Sequence, residues 1–143
     1  MAQPVAKQEN KQPMPKDTTY THTIKGHGAP FVMETPPEGS GNYMSGKKAA
    51  QTLASSVPDS TKTIDFRSCN SGSGGWFSNA QMLANETGRN VFGYAGRVGE
   101  THHDGERRRF EPQPSTRAAF AGAVNNALGS IGAGGLHCYR KHK

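Results

Sequence analysis

No apolar run in this 143-residue chain approaches the roughly 18 residues that a membrane-spanning helix needs. Its opening, MAQPVAKQENKQPMPKD, lacks the apolar centre of a secretory signal peptide. A membrane span is therefore excluded, and any export is expected to use a route without a cleavable signal. Cysteine is scarce too. Cys69 and Cys138 are the only two, too few for a disulfide framework, which leaves either one bridge or two free thiols and favours synthesis in a reducing compartment. Acidic residues are outnumbered, 11 Asp and Glu against 17 Lys and Arg, for a formal net charge of +6. That balance biases the protein towards acidic surfaces, whether nucleic acid, anionic membrane or an acidic partner, without choosing among them.

A chain of this length is enough for one core. Residues 1–18 are rich in Gln, Lys and Pro and hold almost nothing to bury, the composition of a disordered leader. From residue 19 to about 135 short β-prone runs alternate with helical patterns, and residues 136–143 form a basic tail. TYTHTIK reads as a strand stopping at Gly26. SGKKAAQTLASS reads as a helix capped by Ser45, with Ala49, Ala50, Leu53 and Ala54 at helical spacing and Pro58 beyond its end. In TIDFRS, Ile64 and Phe66 alternate with Asp65 and Arg67, the period of a strand. NAQMLANETG is a second helix closing at Gly88, and NVFGYAG the next strand. STRAAFAGAVNNALGSI places Phe120, Val124, Leu128 and Ile131 on one helical stripe, expected to face the core. Strand and helix alternating in this way predict right-handed crossovers and a mostly parallel sheet.

Chemistry in such sheets collects at the carboxyl ends of the strands. Two features stand there: GHG, residues 26–28, after the first strand, and SCN, residues 68–70, after TIDFRS. If those strands are neighbours, His27 meets Cys69. An imidazole near a thiol can hold the thiolate or deliver a proton to a leaving group. Gly28 lets a substrate come close to the backbone, and its N–H with that of Cys69 is suited to a developing oxyanion. The small residues of NSGSGG leave room for an extended peptide. Either residue alone reads as structural; a cysteine set among glycine and polar residues, opposite a glycine-flanked histidine, reads as a dyad.

An apolar block ending in His-Gly, followed after a spacer by one ending in Ser-Cys, resembles the caspase-like cysteine peptidases, the group of caspases, gingipains, clostripain and toxin autoprocessing domains. The segment SCNSGSGGWFSNAQMLANETGRNVFGYAGRV is most similar to the bacterial toxin-associated and CHAT-like branches. The resemblance covers about residues 20–112 and implies a three-layer α/β/α sandwich. It implies Cys69 as nucleophile, His27 as proton carrier, Gly28, Ser68 and Asn70 around the oxyanion and substrate, and no metal or organic cofactor. A bacterial effector or toxin follows from it, made in the cytoplasm and exported, cleaving a protein or peptide substrate and met by a cognate immunity protein. Asp65 and Arg67 depart from it, because a strand covered on both faces is ordinarily more uniformly apolar.

Two other readings stand beside the peptidase. THHDGERRR puts His102, His103 and Asp104 before Arg107, Arg108 and Arg109, the ingredients of a basic nuclease, although the spacing fits no familiar metal motif. A non-catalytic binding module on the same fold is the third. GSGG is followed by no Gly-Lys-Ser or Gly-Lys-Thr and so is no phosphate loop. LHCYRKHK reads as a solvated basic end, with metal capture or a polybasic anchor as alternatives. Phe110 and Pro112 mark a return to the core.

Overall fold

A computed structural model describes residues 20–35, 39–99 and 102–141, with side chains up to residue 133. The leader, 1–18, lies outside the described residues. Among these residues the strands are β1 Thr21–Gly26, β2 Gly28–Ala29, β3 Val32–Glu34, β4 Tyr43–Ser45, β5 Thr63–Ser68, β6 Asn90–Tyr94 and β7 Arg107–Phe110. The helices are α1 Gly46–Ala54, α2 Asn79–Thr87 and α3 Ser115–Lys141, with a 3-10 turn at Gly75–Phe77. The local signals act as read. Ser45 caps α1 by accepting from Lys48 N at 3.2 Å, Ser78 caps α2 through Gln81 N at 3.1 Å, and Gly88 ends α2 at φ 70°, where a Cβ is resisted.

The main sheet runs β1-β5-β6-β7, the first three parallel and β7 antiparallel. A second sheet, β2-β3-β4, is an antiparallel meander inserted between β1 and α1. Composition did not announce it, because strands of two and three residues carry no measurable period.

The crossovers from β1 to β5 and from β5 to β6 move the same way across the sheet, so right-handedness puts α1 and α2 on the same face. They pack on each other and on α3. Ile24, Ile64, Phe66, Val91 and Phe110 meet Ala49, Ala50, Ala80, Leu83, Ala84 and Ala121 there. Small helix residues against large strand residues bring the layers close.

The opposite face of the sheet is different. Alternation sends Asp65 and Arg67 of β5 to it, beside Tyr94 of β6 and Arg107 of β7. These four are buried, yet it is the segment after Tyr94, and no helix among the described residues, that closes over them. The chain is thus mixed α/β with a mostly parallel sheet, and the helical third layer of the expected sandwich is absent from the described residues. The reason is visible in β5, where only one face is apolar.

The stripe on α3 is a second correction. Phe120, Leu128 and Ile131 are exposed by 62%, 42% and 76%, while Ala121, Gly122, Asn125 and Gly129 face inwards. The helix docks by backbone proximity: a Cβ on Gly129 would run into Phe31 O and Ser45. Its polar ties are Asn125 Oδ1, accepting from Lys47 N at 2.8 Å, and Asn125 Nδ2, donating to Phe77 O at 2.9 Å. The helix continues through the sequence read as a basic tail as far as Lys141.

Candidate active site

β1 and β5 are hydrogen-bonded neighbours in a register that pairs Gly26 with Ser68. His27 and Cys69 are the next residues along each strand, so both leave the sheet at the same carboxyl edge. His27 is exposed and Cys69 half-buried, a free thiol.

The backbone around the pair is firmly held. The His27 carbonyl accepts from Glu34 N at 3.0 Å, which ties it to β3. Glu34 is itself buried, its carboxylate accepting from Gly39 N at 2.9 Å and Gly41 N at 2.8 Å. Gly28 lies opposite Met33, one step from that hydrogen-bonded pair, so its own N–H points away from β3. Glycine is required at this point because a Cβ would collide with the Ser68 hydroxyl and press on the Cys69 carbonyl.

Ser68 through Ser71 form a turn closed by Ser71 N to Ser68 O at 3.0 Å, with Asn70 in the left-handed region at φ 61°. Asn tolerates that conformation better than most residues with a Cβ. Ser71, fully buried, donates its hydroxyl to Phe66 O and accepts from Tyr94 N, both at 3.0 Å, splicing the turn between β5 and β6. Gly72 N donates to Tyr94 O at 2.8 Å. The loop bearing the thiol is thus an extension of the sheet.

Two of the residues expected around a substrate have other work. Ser68 is buried with its hydroxyl on Met33 Sδ at 3.3 Å, and so belongs to the packing beneath the site. Asn70 donates its N–H to Gly96 O at 2.9 Å and its side-chain oxygen accepts from Ser73 Oγ at 2.9 Å, which shapes the turn. Gly28 lies against the Cys69 backbone.

On the sheet face away from the helices lies a buried polar cluster that the sequence reading left unassigned. Tyr94 OH donates to Asp65 Oδ1 at 2.5 Å and accepts from Arg67 Nη1 at 3.0 Å, and Arg67 Nη1 stands 3.6 Å from Asp65 Oδ2. Burial, reinforced by the hydrogen bond to Asp65 and by its charge, raises the Tyr94 hydroxyl well above the ordinary phenol range. Arg67 Nη2 reaches out to Gly99 O at 2.8 Å and His102 O at 3.4 Å, fastening the segment after β6 over this face. The departure noted for Asp65 and Arg67 is resolved by their pairing with each other.

The residues of the nuclease reading are dispersed. His103 Nδ1 donates to Gly105 O at 2.6 Å and its ring meets Tyr94 edge-on at 4.8 Å. Arg107 is buried with its guanidinium 3.8 Å over the Phe92 ring. Arg108 pairs with Glu106 at 3.4 Å and Arg109 with Glu111 at 3.1 Å, while His102 is exposed. Among the described residues no three His, Cys, Asp or Glu side chains are grouped to hold a metal ion, and no helix is long and apolar enough to cross a membrane.

A small α/β chain with a basic balance and a half-buried thiol at a strand end belongs, by its relatives, to the secreted effectors of bacteria. The family model for the secreted effector protein SteB matches residues 21–143, and the chain belongs to that family. Secreted effector protein SteB of Salmonella typhimurium strain 14028s is 38% identical over 111 residues, covering 74% of this chain and 80% of the relative. The same protein from strain LT2 matches to the same extent. No solved structure matches. Membership in the SteB family corrects the resemblance to caspase-like peptidases. Short strand-end motifs followed by a helix and a strand are signals that a parallel sheet with glycine-rich loops can reproduce, and the match over residues 21–143 outweighs them.

Proposed function

We propose that this secreted effector acts as a thiol-dependent endopeptidase centred on Cys69 and His27. The reading rests above all on the register of β1 and β5: Gly26 opposite Ser68 makes the imidazole and the thiol successive residues beyond adjacent strands, whose spacing is roughly 4.8 Å. The Cys69 sulfur attacks a peptide carbonyl carbon, and His27, having taken the thiol proton, delivers it to the departing amine. Water then hydrolyses the thioester, releasing the acid and restoring the thiol. In this reading the amides of Gly28 and Cys69 donate to the oxyanion. The rigidity of the Ser68–Ser71 turn supports the reading, because a nucleophile held by the sheet needs little reorganisation to react.

A panel of peptidyl chloromethyl ketones tests this. Such reagents place a carbonyl against the nucleophile and alkylate it only when a peptide binds beside it. Intact mass and peptide mapping are expected to find a single adduct on Cys69, formed much more slowly in His27→Ala. Labelling of Cys69 at equal rates in wild type and His27→Ala, no faster than free cysteine reacts, would contradict the proposal.

A further inference from the structure

The outward face of α3 is an apolar surface that the site does not use. Phe120, Leu128 and Ile131 lie on it with Val124 between them, and Trp76 stacks on Phe120 at 5.6 Å between ring centroids. Trp76 is in turn braced edge-on by Phe77 at 4.6 Å, so the aromatic end of the stripe is a firm platform. Trp76, Phe120 and Arg117 line a shallow recess of about 320 Å³. The other end is the projecting Ile131, 76% exposed.

We infer that this face is the interface of a symmetric dimer, in which α3 of one copy lies antiparallel on α3 of a second copy. Three observations select a second copy as occupant. The first is self-complementarity. A knob, Ile131, and a recess, at Phe120, sit on one stripe about 16 Å apart, 131 − 120 = 11 residues along a helix. In an antiparallel pair with its two-fold axis near residues 125 and 126, each Ile131 enters the recess of the other copy and Val124 meets Leu128. An isologous contact requires this reciprocity.

The second observation is charge. The chain carries +6, yet from Ala118 to Tyr139 it has no Asp, Glu, Lys or Arg. Two such cations can approach along this face without setting like charges against each other. An anionic membrane would instead be met by Lys and Arg interleaved with the apolar stripe, and the sequence between Arg117 and Arg140 supplies none. The third is spacing. Positions 120, 124, 128 and 131 repeat at 4, 4 and 3 residues, the interval at which facing helices interlock.

Sedimentation velocity of the full chain, from about 1 to about 200 µM, reads the inference directly, since an interface of this modest size dissociates in that range. The weight-average mass is expected to rise from 15.3 kDa towards twice that value. Phe120→Lys and Ile131→Glu are each expected to remain monomeric at the top of the range with unchanged melting temperatures, because both positions are exposed in the single copy. Mixed in equal amounts the two variants are expected to associate again, as the introduced ammonium and carboxylate then face each other once per dimer. Wild type remaining at 15.3 kDa throughout overturns the inference, as does association that survives in both variants. Ile131-dependent co-sedimentation of a monomeric wild type with phosphatidylserine vesicles would also overturn it, by assigning the stripe to a lipid surface.

Discussion

Cys69 is anchored by the turn that carries it. Its turn depends on Asn70 at φ 61° and on Ser71, whose hydroxyl bridges β5 and β6. Asn70→Val, β-branched in a left-handed position, is expected to lower stability by about 1–3 kcal/mol while Asn70→Gly leaves it nearly unchanged, as chemical denaturation will read. Cys69→Ala removes only a half-buried thiol and is expected to keep the fold while abolishing cleavage. His27→Ala should do nearly the same. Combining the two should cost little beyond either one, because the members of a dyad act as a unit; additive losses measured with a common peptide substrate would separate them into independent roles. His27 and Cys69 were legible in the sequence because glycine and short polar residues flank them at strand ends. Ser71 was not, since a serine in a serine- and glycine-rich loop gives no sign that both sides of its hydroxyl are engaged across the sheet.

At the level of elements, β5 carries the main energetic commitment. Its helix-facing side is apolar and its other side holds the Asp65–Tyr94–Arg67 cluster, with Asp65 and Arg67 almost wholly buried. Asp65→Ala leaves the Arg67 guanidinium buried without its carboxylate and is expected to cost about 3–5 kcal/mol in denaturant unfolding. Tyr94→Phe removes only the hydroxyl and should cost about 1–3 kcal/mol. Tyr94 also sets an alkaline limit. Its folded pKa is raised above the unfolded value of 10.0, so its contribution is intact below about pH 10 and is lost as pH rises towards the folded value. Stability measured from pH 9 upwards should therefore fall more shallowly in Tyr94→Phe than in wild type. Helix α3 marks the limit of periodicity as a guide. The stripe of Phe120, Val124, Leu128 and Ile131 was plain in the sequence, but which face turns inwards was decided by Gly122 and Gly129, whose missing side chains let the helix approach β4 and α1. Gly129→Leu is accordingly expected to destabilise the fold far more than Ile131→Ala, despite replacing the smaller residue.

Across the whole molecule, the features divide by face and edge. Helices cover one side of the sheet, a charged cluster and the segment after β6 occupy the other, and the carboxyl edge of β1 and β5 is left for His27 and Cys69. The arginines of β5 and β7 have local partners, Arg67, Arg108 and Arg109 each an acid and Arg107 a ring. The chain that carries this edge belongs to a family of secreted effectors. The central claim, cleavage by Cys69, is tested most directly by mapping new protein N-termini. A lysate of cultured animal cells is treated with the purified wild-type chain, with Cys69→Ala, or with wild type alkylated beforehand, and the N-termini are sequenced by mass spectrometry. The account predicts a reproducible set of new N-termini with wild type alone. The same set appearing with Cys69→Ala, at comparable abundance, would contradict it.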